Sequence, residues 1–268
     1  MAKLVGIIPA AGRGARLGPL PFSKELFPLD FQKSNTGHNI RQLPKVISQY
    51  LVERMILAKV SHILFVLGDR KQDIMQYYGG GERFGTHFAY LYQEEPRGMP
   101  FALDLARPWL NEDDIVLFGM PDTLFFPEDA FLHLLDFHLR ERNELTLGLF
   151  PTTKPYKFGM VDFDENGNVL ICIDKPKQTS LKYMWGIACW SQAFTFLMAE
   201  YLAARADIVH EVVLSDVFQY GVEQRLATKA LCFTEGIYWD VGTPDELMQV
   251  IRNIGNLEGP YLLTDEHE

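Results

Sequence analysis

The sequence has little cysteine and no apolar run long enough to cross a bilayer. Its three cysteines, Cys172, Cys189 and Cys232, are too few and too scattered for a disulfide framework or a zinc knuckle. They are typical of small buried thiols in a reduced compartment. The opening residues MAKLVGIIPAAG enter a strand-like segment directly and lack the apolar core and cleavage site of a signal peptide. These absences predict a cytoplasmic protein without a membrane partner.

Positive charge is also scarce. The 268 residues contain 25 Lys and Arg against 35 Asp and Glu, a formal net charge of -10. A chain this acidic lacks the basic face that a phosphate backbone requires, so nucleic acid is not predicted as a partner. An anionic ligand must therefore be held by a local positive patch.

The first half of the chain alternates between two patterns. Short apolar runs (LVGII, HILFVL, HFAYLYQ, DIVLF) predict strands, and the segments between them predict helices at about 46–58, 71–78, 100–107 and 130–142. In the last of these, His138 falls on the apolar stripe and is predicted to be a packed core residue. Strands that alternate with helices predict right-handed crossovers and a mostly parallel sheet.

The second half changes character. MVDFDENGNVLICID predicts a β-hairpin that turns at Asn166–Gly167, and KYMWGIACW, ATKALCF and GIYW predict further strands. Thr243–Pro244 predicts the start of the last helix. The segment FQKSNTGHNIRQLP predicts a loop insertion. Because no Gly/Ser- or Pro-rich linker separates the halves, we expect an α/β fold with one Rossmann-like, mostly parallel mixed sheet, flanked by helices and carrying an inserted β-hairpin.

The loop PAAGRGARLGPLPFSK, residues 9–24, has three cations and no carboxylate. It follows the first strand, at the edge of an open α/β sheet where ligands bind. Glycines let backbone N–H groups approach phosphate oxygens, and Arg and Lys supply the opposite charge. The loop is not a P-loop, because the Gly-Lys-Ser/Thr ending is absent. It is not a dinucleotide fingerprint either, because position 17 is Leu, and Pro19 and Pro21 prevent an immediate long helix.

The loop resembles the signature of the sugar-1-phosphate nucleotidyltransferases, Gly-Gly-x-Gly-Thr-Arg-Leu followed by Pro-Lys or Ser-Lys. Here Ala stands for the first Gly, Ala15 for Thr, and the spacing from Arg16 to Lys24 is about two residues shorter. The resemblance implies that Arg16 contacts the departing pyrophosphate and that Lys24 contacts the α-phosphate or its leaving oxygens. It implies a nucleotide-binding turn made of Ala11, Gly12, Arg13 and Gly14.

The resemblance covers about residues 4–254. It implies a single nucleotidyltransferase domain, 1–256, with a nucleotide-binding half at about 1–150 and a sugar-phosphate-binding half at about 151–256, followed by a flexible tail, 257–268. YQEEPRGMPFAL resembles the family's Gln-x4-Gly stretch, which assigns Gln93 and Gly98 to the nucleotide. An amide both donates and accepts, as the imide edge of uracil or thymine demands. Taken alone, a glutamine at this position is more often a solvated residue at the end of a strand.

Two aspartates complete the nucleotide side. Asp122 follows an apolar strand and is followed by Thr123, where the family usually has Asn. YWDVGTPDEL resembles the family's Trp-x-Asp-x-Gly-Thr segment, one residue shorter, which implies that Asp240 is the second Mg²⁺ ligand. Mg²⁺ takes one or two carboxylates together with substrate phosphates. Each aspartate alone fits a turn or a helix cap.

FGMVDFDENGNVLICIDKPK resembles the family's hairpin that binds the sugar phosphate. The resemblance implies that Lys175 holds the sugar phosphate, that Gly159 allows close approach of the sugar, and that Asp174 grips sugar hydroxyls where the family usually has Glu. HEVVLSDVF resembles the family's Glu-x4-Asp segment through Glu211 and Asp216, which predicts a substrate-binding loop.

The implied reaction is Mg²⁺-dependent transfer of a nucleotidyl group to a sugar-1-phosphate, with UTP or dTTP and glucose-1-phosphate favoured. Cytidylyltransferases of the isoprenoid pathway also begin with Pro-Ala-Ala-Gly-x-Gly-x-Arg, but their Asp-Ala-Ala-Arg-Pro segment is absent here. A non-catalytic regulatory subunit of the same fold is a second alternative, although such proteins typically lose the carboxylates or the lysine. The sequence leaves the oligomeric state open. A homo-oligomer is possible, because many members of the family assemble as dimers or tetramers.

Overall fold

The computed structural model describes residues 3–12, 14–35, 40–205 and 211–257. Within them the strands are β1 Leu4–Ala10, β2 Pro28–Asn35, β3 Ile40–Val46, β4 His62–Leu67, β5 His87–Tyr92, β6 Ile115–Gly119, β7 Thr123–Phe126, β8 Leu145–Pro151, β9 Gly159–Phe163, β10 Val169–Asp174, β11 Tyr183–Trp190, β12 Thr228–Cys232 and β13 Ile237–Asp240. The helices are α1 Ile47–Leu57, α2 Gln72–Tyr78, α3 Met99–Asp104, α4 Ala130–Glu141, α5 Gln192–Ala203, α6 Leu214–Glu223 and α7 Pro244–Leu257.

A nine-stranded sheet forms the centre of the fold. Its order is β10-β9-β11-β6-β1-β4-β5, with β8 pairing both β11 and β12. Strands β6, β1, β4 and β5 are parallel, and β11 enters antiparallel between β6 and β8. The predicted α/β class with a mixed sheet is therefore confirmed, and strands from both halves of the sequence join one sheet.

Helices cover both faces of this sheet. On one face α3, α5 and α6 pack through residues such as Leu103, Phe194 and Phe218, which are at most 1% exposed. On the other face α1, α2 and α4 pack through Leu51, Ile74 and others. Two buried layers of this kind fix the sheet, and the carboxyl ends of the parallel strands form one edge at which the opening loop lies.

Two segments differ from the sequence expectation. The expected loop at 30–44 contains the antiparallel hairpin β2–β3, whose polar strands pair with each other and not with the main sheet. Gln32 and Gln49 exchange side-chain amide hydrogen bonds of 3.1 and 2.7 Å, which ties the hairpin to α1. Polar strands of this kind lack the apolar alternation that sequence reasoning requires.

The second segment that differs from the expectation is the Glu-x4-Asp segment. Asp216 lies in the first turn of α6 and not in a loop, because Leu214, Val217 and Phe218 bury one apolar face of that helix. Of the predicted tail, residues 258–268 lie outside the described residues. No helix in the described ranges is both long and apolar enough to span a bilayer.

His138 provides a test of the core. It is 3% exposed, its Nδ1 lies 2.9 Å from Oγ1 of Thr146, and burial lowers its pKa from 6.5 to about 4. Between these values the unfolded chain binds a proton that the folded protein excludes, so the free energy of unfolding falls as the pH drops from 6.5 towards 4. The lost stability is about 3 kcal/mol at most. We expect His138→Gln to remove this part of the pH dependence in urea unfolding at pH 7 and pH 4.5. An identical pH dependence in both proteins would contradict this prediction.

Candidate active site

The opening loop leaves β1 at the carboxyl edge of the sheet. Gly14 and Gly18 adopt φ values of +65° and +91°, which only glycine adopts without strain. A Cβ added at Gly12 would meet no atom within 4 Å, so the space above this turn is open. Ala11 packs against Gly68 at the end of β4. Of the predicted turn, Arg13 lies outside the described residues.

The two predicted metal-binding aspartates are brought together by a two-stranded sheet. Strands β7 and β13 are antiparallel, and Asp240 is the register partner of Thr123, the residue after Asp122. The backbone N–H of Val241 donates to the carbonyl of Asp122 at 2.9 Å. Strand β6 ends at Gly119, and Pro121, which cannot donate to a strand ladder, lies in the turn that leads into the apolar strand β7. The ladder therefore places two carboxylates, distant in sequence, side by side.

Charge at this pair is only partly balanced. The Lys24 ammonium forms a hydrogen-bonded ion pair with the Asp122 carboxylate. Burial, and then the negative charge of Asp122, raise the pKa of Asp240 to about 6, although Arg16 and Lys24 oppose this shift. Burial alone would lower the pKa of Lys24, but Asp122 and the other nearby carboxylates raise it overall. Lys24 therefore stays charged, and the carboxylate pair still attracts a cation.

The two carboxylates fit a magnesium ion that is also bound by the phosphate oxygens of a substrate. The described residues hold no group of three His, Cys, Asp or Glu side chains that could enclose a metal. Asp122 and Asp240 supply two carboxylates, and Mg²⁺ is commonly bound by one or two carboxylates together with substrate phosphate oxygens. Burial, followed by the negative charges of Asp122 and Glu246, raises the pKa of Asp240, and a cation beside these carboxylates would offset that unfavourable charge.

A cavity of about 170 Å³ borders Asp240 of this pair, whereas Asp122 does not line it. Three cations reach it: Arg16, Lys157 and Lys175. A Cβ at Gly242 would lie 3.3 Å from the Arg16 guanidinium and 3.0 Å from the Asp240 carboxylate, so Gly242 leaves room for both groups. A larger open cavity of about 600 Å³ adjoins the first and shares its lining residues Phe158, Tyr238 and Asp240.

The β9–β10 hairpin forms another wall of the smaller cavity. Gly159 begins β9, and Asp174 ends β10 directly before Lys175. Lys175 is exposed, has φ +42°, and its Nζ lies 3.5 Å from the Asp174 carboxylate. Glu211 also lines the cavity. Asp216 is exposed on one side only, and its partial desolvation, followed by the negative charge of Asp174, raises the pKa of its carboxyl.

Gly159 is restricted by the protein itself. A Cβ there would overlap the indole nitrogen of Trp185 and the hydroxyl of Ser215, which are hydrogen-bonded to each other at 2.9 Å. We expect Gly159→Ala to lower the free energy of unfolding by about 1–3 kcal/mol, as overpacking does. Gly12→Ala is the matched control, because its Cβ enters open space, and its unfolding free energy should stay within about 1 kcal/mol of the parent. Urea unfolding measures both; equal stability of the two variants would contradict the prediction.

Gln93 and Gly98 lie near the end of β5, at the same edge as the opening loop. The backbone N–H of Gln93 donates to the carbonyl of Leu67 at 2.8 Å, which ties this segment to β4. The Gln93 side chain is buried, and its Nε2 has no hydrogen-bond partner in the described part of the chain. Gly98 has φ +113° and packs against the backbone of Val212. Neither residue lines the smaller cavity. That cavity is lined by the residues predicted to bind the sugar phosphate (Gly159, Asp174 and Lys175) and also by Arg16 and Asp240.

Several residues at the site were missed by sequence reasoning. Lys157 lines the cavity and forms an ion pair with Glu246 in α7. Its position just before the Phe-Gly of the hairpin motif was the available signal. Trp185 and Ser215 carried no signal, because their hydrogen bond joins residues that are distant in sequence.

Comparisons with known proteins identify the family and the fold of the chain. A family model described as Nucleotidyl transferase matches residues 5–256. The chain is 25% identical to a low-salt glycan biosynthesis nucleotidyltransferase of Haloferax volcanii, over 91% of this chain and 64% of that protein. It is 27% identical to a glucose-1-phosphate thymidylyltransferase of Neisseria gonorrhoeae, over 94% of this chain and 85% of that protein.

One solved structure shows the same fold. It is a putative glucose-1-phosphate thymidylyltransferase of Bacillus anthracis in complex with a sucrose, which superposes with a TM-score of 0.76 over 93% of this chain and 94% of that chain, at 19% identity. At this identity the likeness supports the architecture alone. The chain spans 64%, which is less than two thirds, of the length of the Haloferax protein.

Proposed function

The chain belongs to the nucleotidyl transferase family, and from this premise we propose that it transfers a nucleotidyl group from a nucleoside triphosphate to a sugar-1-phosphate, releasing pyrophosphate. The observation that carries the proposal is the β7–β13 ladder. It sets Asp122 and Asp240 beside Lys24 and Arg16, and the glycine turn that contacts Lys24 through Gly14 has open space at Gly12. A pair of carboxylates with two cations is the arrangement that a metal-bound triphosphate needs.

In the proposed reaction an oxygen of the sugar phosphate forms a bond to the α-phosphorus. The bond from that phosphorus to its bridging oxygen breaks, and pyrophosphate leaves with the electron pair. The attacking phosphate is already an anion, so no covalent intermediate with the protein is required. Catalysis then consists of holding two anions together and stabilising the charge that develops between them.

The protein's own residues divide this work. Lys24 contacts the α-phosphate and Arg16 the departing pyrophosphate, while Lys175 holds the incoming sugar phosphate with Asp174 at the sugar hydroxyls. Asp122 and Asp240 would hold Mg²⁺, which when bound neutralises charge on the phosphates. Lys157 is the third cation that lines the smaller cavity, together with Lys175 and Arg16.

We propose UTP or dTTP as the nucleotide and glucose-1-phosphate as the sugar. The buried Gln93 amide, with an Nε2 that lacks a partner, supports a base with both donor and acceptor groups. The name of the Neisseria relative supports glucose-1-phosphate and a thymidylyl group. The cytoplasmic location stays a prediction.

The base assignment predicts the behaviour of Gln93→Leu. Because a buried polar contact is lost, we expect the KM for UTP or dTTP to rise by about 10-fold or more, and preference over CTP to fall. Gln224→Leu, at an exposed glutamine beyond α6, is the matched control and should leave KM unchanged. Steady-state kinetics with each triphosphate measures this. An unchanged KM in Gln93→Leu would remove Gln93 from the site.

Pyrophosphate release tests the reaction itself. The protein is incubated with Mg²⁺, each nucleoside triphosphate and a panel of sugar-1-phosphates, and pyrophosphate is measured with each substrate omitted in turn. We expect release only when both substrates and Mg²⁺ are present. Turnover with CTP alone among the triphosphates would favour the cytidylyltransferase alternative. No turnover, with nucleotides still raising the melting temperature, would favour the regulatory subunit.

A further inference from the structure

Lys24 lies between two residues that are fixed to a different part of the chain. On one side, Ser23 donates through both its backbone N–H and its hydroxyl to the carboxylate of Asp73, at 2.6 Å each. On the other side, the Glu25 carboxylate pairs with the Lys71 ammonium at 2.6 Å. Lys71 and Asp73 stand at the start of α2, directly after strand β4.

The Glu25–Lys71 pair is deeply buried. The two side chains are 2% and 6% exposed, so neither reaches the space in which a substrate would lie. Ser48 of α1 donates to the Glu25 carbonyl at 2.8 Å, which adds a third attachment. Removing two charges from water is costly, and an apolar pair of similar volume would hold a loop at least as firmly. Loop stability alone therefore does not account for a buried ion pair at this position.

The ion pair does define the direction of the backbone next to Lys24. An ion pair and two hydrogen bonds specify the backbone on both sides of Lys24, whereas apolar contacts allow several arrangements. Lys24 is a long, flexible side chain that must meet Asp122 across the loop, and its side chain is 13% exposed. Fixing its Cα reduces the number of conformations that the ammonium can adopt.

We propose that Glu25, Lys71, Ser23 and Asp73 are positioning residues that set kcat by holding Lys24 against Asp122, without touching either substrate. This rests on the proposed nucleotidyl transfer. Because they act through Lys24, their effect must disappear when Lys24 is absent. A displacement of about 1 Å at a reacting group costs about 100-fold in rate, so effects of 10-fold or more are expected.

A double-mutant cycle tests this. Glu25→Gln with Lys71→Met removes both charges and leaves no buried ion unpaired. We expect kcat to fall by about 10-fold or more with both KM values within about twofold. In a Lys24→Ala background the same pair of changes should cause no further loss. An equal loss in both backgrounds would show a purely structural role and overturn the proposal, as would full turnover in the doubly changed protein. Lys229→Met, which removes the ion pair with Glu141 far from the site, is the control and should leave kcat unchanged.

A second readout needs no catalysis. The rate at which an amine-acetylating reagent modifies Lys24 is measured by mass spectrometry, with the exposed Lys175 as internal reference. The paired Lys24 should react slowly in the parent protein, and several-fold faster in Ser23→Ala, a mild change that serves if the ion-pair variant does not fold. An unchanged labelling rate would overturn the positioning role. Absence of turnover in the parent protein would overturn the proposed function instead, and the labelling result would still decide whether these residues hold Lys24.

Discussion

Lys24→Ala is expected to lower kcat by about 100-fold or more, the loss typical for one donor that stabilises a transition state. Lys24 is the cation in direct contact with the Asp122 carboxylate, and its ammonium faces the same carboxylate pair as Arg16. Its removal takes away positive charge where the α-phosphate is proposed to react. Pyrophosphate release at saturating substrate measures the change.

The matched control for Lys24 is Lys45→Ala. Lys45 pairs with Glu53 at 3.0 Å, and its side chain is 17% exposed, close to that of Lys24. Its loss should leave kcat within about twofold while costing up to about 1 kcal/mol of stability. If Lys24→Ala kept near-normal turnover while remaining folded, its assignment to the α-phosphate would be wrong.

The second large effect on kcat is expected from changes to the carboxylate pair, Asp122 and Asp240. Asp122→Asn and Asp240→Asn should each lower kcat by about 1000-fold, because several kcal/mol of metal-dependent stabilisation is lost. The two aspartates serve one ion, so the double variant should be little worse than either single variant. Turnover is measured over a range of Mg²⁺ concentrations, in which the single variants should require more of the ion.

Asp113→Asn is the control for this pair. Asp113 is exposed before the amino end of β6, whereas Asp122 lies beyond its carboxyl end, so the change removes the same charge from the opposite edge of the sheet. It should leave turnover and the Mg²⁺ requirement unchanged. Effects of the two site variants that simply multiplied in the double variant would falsify the shared ion.

Local sequence pattern was sufficient for much of the fold. The predicted helices at 46–58, 71–78 and 130–142 match α1, α2 and α4 to within one residue at each end, because their apolar residues repeat at helical spacing. The hairpin predicted at Asn166–Gly167 forms between β9 and β10, with Gly167 at φ +78°. The family resemblance stated from the opening loop is confirmed by the family match.

Where pattern was weak, prediction was wrong. Strands β2 and β3 are largely polar and were expected to form a loop. The first residues of α6, within HEVVLSDVF, were also expected to lie in a loop, because that segment was interpreted by motif alone. Lys71 sits at the start of a predicted helix, yet nothing in its neighbourhood indicates that its partner is Glu25, in another segment.

The sequence by itself determined most of the alternation of strands and helices, apart from β2, β3, β7 and α6, and the cationic, glycine-containing loop at the end of β1, because these depend on residues that are close in the chain. Only the tertiary structure decided that Asp122 and Asp240 meet, since the register of β7 against β13 sets that distance. It also decided that Lys24 is held from both sides by the start of α2. Contacts between distant segments follow from the packing of whole strands and helices, and no local pattern encodes the partner.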